Sequence, residues 1–352
     1  MSTRLDRLRS ELDVLGVESF LVTNPVNIQY LTGVESSNAA VIVTRDRTMI
    51  ATDYRYIEAA RALSGFEILE AQRDVARWLS PRLRELGSLQ VAFEADHLTV
   101  AAREALGSDR VELLPTSGVV MGLRATKEPE ELDAVRRAAA ILDAAYGALA
   151  EHGLLGKTER ELAWFLERTM RDAGAEATAF DAIVAGGPNG AVPHHHPTDR
   201  RIEPGELVVV DAGAKVGGYC SDCTRTFATG PLPERLERAY AVCLDAQQQA
   251  LAAVRAGAPG QTVHELAAEV IREGGFEHLQ HGLGHGVGMD IHELPVMRDG
   301  VDSTLVRDSV VTVEPGIYLA GLGGVRIEDL VIVTTDGAEV LTPFTKELLT
   351  VA

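Results

Sequence analysis

The chain has 352 residues, 46% of them hydrophobic, and a formal net charge of −19. That length leaves room for two domains at about 100–200 residues each, and the acidity argues against a general affinity for nucleic acid or an anionic membrane surface. Three cysteines make no disulfide framework, the charged start MSTRLDRLRSELD lacks the apolar core of a secretory signal, and no apolar run of about 18 residues is present to span a bilayer. A reducing cytoplasm is the expected home.

In chain order, Leu5 to Leu15 repeat apolar residues at helical spacing. ESFLVTN, AAVIVT and TMIATD read as buried strands, followed by a helix over YRYIEAARAL. FEILEA, LQVAFEA and VELLPT are strand-like, while DVARWLSPRLREL and TVAAREAL are helical. This alternation predicts an α/β domain over residues 1–122. Asp53 and Arg55 in TDYRY read as a solvated helix start, or as polar groups able to reach a substrate terminus. A boundary falls near GLRATKEPEEL, and Pro129 suits the first turn of a helix running to about Ala150.

The remainder, residues 123–352, carries an internal echo. Thr158 and Glu161 have capping-box spacing at the head of one helix, and Thr262 and Glu265 have it at the head of another. Each helix leads into a glycine-rich polar segment and then into strands. Two related halves feeding one central site would explain the echo, although two such boxes also arise by coincidence.

Five side chains of metal-ligand type lie in these strand-like segments: Asp211 in VVVDAG, Asp222 in YCSDCTRTF, His285 in GLGHGVG, Glu314 in VTVEPGIY and Glu328 in GVRIEDLVIV. Four carboxylates balance two divalent cations, and paired metals usually serve hydrolysis. Alone, Asp211 reads first as a turn residue and only second as a ligand. With Asp222, Thr224 and Thr226 on one strand face, a hairpin about Val216-Gly217-Gly218 would set Asp211 beside Asp222, an arrangement that needs cations between them. Glu328 among Val, Ile and Leu is costly unless paired or metal-bound. Arg326, two positions away, is either an ion-pair partner or a clamp for a substrate carboxylate.

His278, His281, His285 and His292 crowd HLQHGLGHGVGMDIHE, where glycines at 282, 284, 286 and 288 permit unusual backbone angles and close approach. A dinucleotide-binding loop is disfavoured, because MDIHE does not start a helix. Cys220 and Cys223 read as small strand residues, with no second pair to complete a zinc site. The run His194-His195-His196 is either a solvated loop or a source of one histidine near the metals.

The ordered motifs resemble the pita-bread metallopeptidases, the family that includes aminopeptidase P, prolidase and methionine aminopeptidase, and the first domain resembles the creatinase-like N-terminal domain of the first two. The resemblance implies an α/β (α+β) protein whose pita-bread domain has pseudo-two-fold halves. It implies that Asp211 holds one metal, that Asp222 and Glu328 bridge two, and that His285 and Glu314 complete the second. His194 and His292 match the family's catalytic histidines, Glu314 is cast as proton shuttle, and His281, Tyr318 and Arg326 match the lining of the proline pocket. The implied activity is hydrolysis before proline with two divalent ions, Mn²⁺ ahead of Co²⁺ or Zn²⁺. The substrate is then a proline-containing dipeptide or, alternatively, a longer peptide, and the assembly a homodimer. The complete ligand set disfavours a non-catalytic binding member of the fold.

Overall fold

The computed structural model describes residues 3–83, 85, 89–107, 111–277, 279 and 281–351. The chain divides into two units, Met1–Arg124 and Ala125–Ala352.

The first unit runs α1 (Arg4–Leu15), β1 (Ser19–Val22), α2 (Pro25–Thr32), β2 (Ala39–Thr44), β3 (Thr48–Thr52), α3 (Ile57–Arg61), β4 (Glu67–Glu70), α4 (Val75–Leu79), β5 (Gln90–Glu94), α5 (Val100–Leu106), β6 (Glu112–Thr116) and α6 (Val119–Ala125). Its six strands form one mixed sheet in the order β4-β3-β2-β1-β5-β6. The pairs β1–β2 and β2–β3 are antiparallel; the others are parallel. Leu21, Ile42, Met49, Val91 and Phe93 fill one core with Val75, Leu79 and Leu106. Sequence patterning misses α2, which is short and starts from a local signal: Asn24 Oδ1 accepts from Val26 N at 2.9 Å, with Pro25 in the first turn. Asp53 is not a solvated helix start. It is buried, and it accepts from Asn38 Nδ2 at 2.5 Å and from Arg55 Nη2 at 2.7 Å.

The second unit begins with α7 (Pro129–His152) and α8 (Glu159–Asp172), followed by β7 (Ala177–Thr178), β8 (Ile183–Gly186), β9 (Leu207–Ala212), β10 (Ala214–Val216), β11 (Tyr219–Cys220) and β12 (Cys223–Ala228). Next come α9 (Glu234–Ala253), α10 (Gly260–Glu273), β13 (Gly284–Gly286), β14 (Glu293–Met297), β15 (Val310–Val313), β16 (Gly316–Leu319), β17 (Gly323–Arg326), β18 (Asp329–Val333) and β19 (Ala338–Val340). Leu142, Tyr146 and Leu149 of α7 and Leu162 and Leu166 of α8 bury against Val208 and Val210 of β9 and Phe227 of β12. In the other half, Tyr240 and Cys243 of α9 and Val263 and Ile271 of α10 bury against Val311, Val313, Val331 and Val333. Each such side chain contributes roughly 1.5–3 kcal/mol when fully buried, and together they hold the two strand systems that carry the acidic residues.

The capping box at Thr158 and Glu161 forms as the spacing predicts. The one at Thr262 and Glu265 does not: α10 already starts at Gly260, after Pro259, so Thr262 lies inside its first turn. Gly260 packs against the Val296 carbonyl with no room for a Cβ, and this contact sets the earlier start.

Candidate metal centre

Asp211 sits near the end of β9, a strand buried throughout. Antiparallel pairing of β9 with β12 sets Asp211 opposite Thr224, not opposite Asp222. The hairpin turns at Gly217 and Gly218 as expected, but its register, which pairs Lys215 with Cys220 in β10 and β11, carries through to set Asp211 opposite the residue two past Asp222. Asp222, just ahead of β12, nevertheless reaches the same place: Asp211, Asp222 and Glu328 each offer an oxygen within 4.8 Å of the others.

Glu328 does not lie within one long strand. The chain leaves β17 at Arg326 and enters β18 at Asp329, so Glu328 occupies the break. Its amide donates to Thr224 O at 3.1 Å, and its Oε2 accepts from Thr224 Oγ1 at 2.7 Å. Beneath it, the Arg225 guanidinium donates to the Glu328 carbonyl and to Asp329 Oδ1, the latter at 2.9 Å. The backbone that presents the carboxylate is thereby fixed.

His285 is the middle residue of β13. Gly284 and Gly286 flank it because a Cβ at either would collide with the Thr312 or Leu294 carbonyl. Close approach is the reason; none of the glycines at 282, 284, 286 and 288 has a positive φ. His285 Nδ1 donates to Gly286 O at 3.1 Å, which turns Nε2 towards the carboxylates. Nε2 lies 3.3 Å from Glu314 Oε1 and 3.7 Å from Asp222 Oδ2. Thr312 Oγ1 accepts from His285 N at 3.1 Å and donates to Glu314 Oε1 at 3.2 Å, tying the two residues together.

The electrostatics are those of crowded anions. Burial, then the charges of Glu328 and Asp211, push the Asp222 carboxyl well up, and burial with Glu314 and Asp211 does the same to Glu328. Burial also raises Asp211, against the pull of Arg326. Glu314 goes the other way: burial opposes its ionisation, but the hydrogen bond and charge of His285 prevail. His285 is raised in turn, with burial opposing and Glu314 favouring its charged form. Asp211 Oδ1 and Asp222 Oδ1 are both buried without a hydrogen-bond partner. Orphaned anionic oxygens beside a ligand-ready imidazole nitrogen are a donor set that fits hard divalent cations.

Arg326 is buried, and its donors are engaged by the protein. Nη2 binds Asp211 Oδ2 at 2.7 Å, Nε binds Thr224 Oγ1 at 3.0 Å, and Nη1 reaches Tyr318 OH at 3.0 Å and Pro193 O at 3.2 Å. An ion pair forms, but with Asp211 and not with Glu328 two positions away. His281 Nδ1 donates to Gly282 O at 2.7 Å, so Nε2 accepts from Tyr318 OH at 2.9 Å. His292 is exposed and meets His285 edge-on, with ring centroids 4.4 Å apart. His194 is exposed. His278 lies outside the described residues. Cys220 and Cys223 are both buried, and Cys220 Sγ donates to Met289 O at 3.7 Å.

The turn Gly187–Ala191 rests directly on β17, where Gly190 and Gly324 meet backbone to backbone. Sequence reasoning missed Thr312, Glu159, Lys127 and Glu293, which hold the ligands and the histidine loops. Thr224 alone was flagged, by its shared face with Asp222.

Residues 133–335 match metallopeptidase family M24, and residues 4–126 match the creatinase/prolidase N-terminal domain. The chain belongs to metallopeptidase family M24. It is 37% identical to an Xaa-Pro dipeptidase from Bacillus anthracis, with a TM-score of 0.95 and 99% of each chain covered. An Xaa-Pro dipeptidase of Pyrococcus furiosus is 34% identical over 99% of this chain and 100% of its own length. An X-Pro aminopeptidase from Thermotoga maritima is 32% identical, with a TM-score of 0.89 and coverage of 99% and 100%.

Proposed function

We propose that this metallopeptidase is an Xaa-Pro dipeptidase, a prolidase, that works with two divalent ions. The observation that carries the reading is the convergence of Asp211, Asp222 and Glu328 within 4.8 Å, beside the His285–Glu314 pair. Asp211, Asp222, His285, Glu314 and Glu328 would hold the ions, and Mn²⁺ suits so oxygen-rich a set best, with Co²⁺ and Zn²⁺ compatible. Ions bound there supply Lewis acidity and lower the pKa of a water into the neutral range.

The remaining steps belong to the protein's own groups. His292 is held below its ordinary pKa by desolvation and by His285, so at neutral pH it offers one ring N–H to the oxyanion that develops at the carbonyl before proline. Glu314 relays a proton to the imide nitrogen, which leaves poorly until protonated. His194 orients the substrate. His281 and Tyr318 line the proline pocket, and Arg326 holds Tyr318 and Asp211 in register. The protein acts as a cytoplasmic homodimer.

The test is cleavage by chelator-stripped protein given Mn²⁺, comparing an Ala-Pro dipeptide with an Ala-Pro-Ala tripeptide. Cleavage of the dipeptide alone is expected. Preference for the tripeptide would favour the aminopeptidase reading, which the similarity to the Thermotoga maritima enzyme supports. Activity on neither substrate, with metal bound, would overturn both.

A further inference from the structure

An acidic residue in the first turn of a helix ordinarily faces water and complements the helix dipole. Glu159, the first residue of α8, is instead 0% exposed. Its Oε1 accepts from Gly186 N at 3.0 Å and from Asn189 Nδ2 at 2.8 Å. Its Oε2 accepts from His195 Nε2 at 2.8 Å, Thr198 N at 2.9 Å and Thr198 Oγ1 at 2.7 Å. A carboxylate offers about four lone-pair sites, so this one is saturated. Burial opposes its ionisation, but the donors, His195 first, outweigh it and keep the group ionised.

Every one of those donors lies between Gly186 and Thr198, the segment that leaves β8 and contains His194. A carboxylate only accepts, so His195 must present Nε2–H, which fixes its ring and tautomer. On the other side of His194, the Pro193 carbonyl is held by Arg326 Nη1 at 3.2 Å. The exposed His194 therefore stands between two tethered neighbours.

We propose that Glu159 is a positioning residue: through His195 and Thr198 it fixes the backbone on which His194 is presented to the substrate. The proposal rests on the peptidase reading for what His194 does, but not for the ordering of the segment. An amide in place of the carboxylate would turn one acceptor into a donor facing other donors, so the isostere fails where a purely space-filling role would accept it.

The experiment is a double-mutant cycle on the full-length, Mn²⁺-loaded protein with Ala-Pro as substrate, using Glu159→Gln, His194→Ala and their combination. Hydrogen exchange is read on the same proteins. Glu159→Gln should lower kcat/KM by about 10-fold to 100-fold, the cost of a small misplacement, with Mn²⁺ content unchanged. Added to His194→Ala, it should cost no more than about 2-fold further, because groups acting through one another are not additive. The Gly186 and Thr198 amides should lose protection, whereas those of β9 keep theirs. If Glu159→Gln does not fold, His195→Phe and Thr198→Val, each removing one side-chain donor, take its place in the cycle. Losses that multiply across the cycle, or unchanged exchange at Gly186 and Thr198, would overturn the proposal. A wild-type protein inactive on both substrates would overturn the peptidase reading instead, and exchange at Gly186 and Thr198 then decides the role of Glu159 by itself.

Discussion

Arg326 Nη2 lies 2.7 Å from Asp211 Oδ2, so a buried guanidinium serves as the protein's own counter-ion to an aspartate of the acidic cluster. Removing one partner of a buried pair strands the other's charge, at about 3–5 kcal/mol. Arg326→Met should therefore destabilise the metal-free protein by about that much in urea unfolding, and Mn²⁺ should restore part of the loss. Arg326→Lys should not rescue it, because one ammonium cannot reach Asp211, Thr224 and Tyr318 together.

Metal removal should be felt more strongly as pH rises. Asp222 and Glu328 have raised carboxyl pKa values in the metal-free fold. Their favourable contribution is complete below the unfolded value of about 4 and is lost as pH climbs through the folded values. Divalent ions need the deprotonated forms, so their stabilisation grows over the same range. Thermal unfolding with and without Mn²⁺, from about pH 5 to about pH 8, should show a widening gap in Tm; a constant gap would contradict the linkage.

Lys127 Nζ and Glu293 Oε2 pair at 3.1 Å with both side chains almost fully buried, and Glu293 directly follows His292. Glu293 Oε1 also accepts from Asp290 N at 3.0 Å, which secures the turn before His292. Lys127→Met alone should cost about 3–5 kcal/mol. The double change Lys127→Met with Glu293→Gln should recover a substantial part of it, measured as the shift in urea midpoint.

Asp53 gives a pH signature of the opposite sign. The hydrogen bonds from Arg55, with Asn38 assisting against burial, hold its carboxyl well below the usual range. A depressed folded pKa stabilises above the unfolded value of about 4 and loses that contribution as pH falls towards the folded value. The wild-type protein should thus exceed Asp53→Asn in denaturant midpoint at neutral pH, and the difference should shrink only below about pH 4.

The acidic cluster was legible because Asp211 and Glu328 break apolar runs with a charge that burial alone does not tolerate, and Asp222 sits one short hairpin away from Asp211. Asp211, Asp222 and Glu328 therefore declared themselves, and so did the α/β alternation of the first unit. The pairing of Asp211 with Thr224 follows from the turn at Gly217 and Gly218 that the sequence did announce, and counting outwards from that turn corrects the expected Asp211–Asp222 register. The break at Ile327–Glu328 was not legible, since an apolar run does not record where a strand changes sheet. The start of α10 follows from a contact between Gly260 and Val296, distant in sequence. Glu159 went unnoticed because its partners arrive 27 to 39 positions later, and no local pattern announces them.

The backbone contact between Gly190 and Gly324 bears on how this side of the site can move. With no side chains between them, the turn leading to His194 and the strand leading to Arg326 share one surface. The Pro193 carbonyl and the Glu159 carboxylate tie down the segment that follows. Such a wall does not swing out like a lid without peeling main chain from main chain, so the segment bearing His194 and the strand bearing Arg326 shift together or stay put.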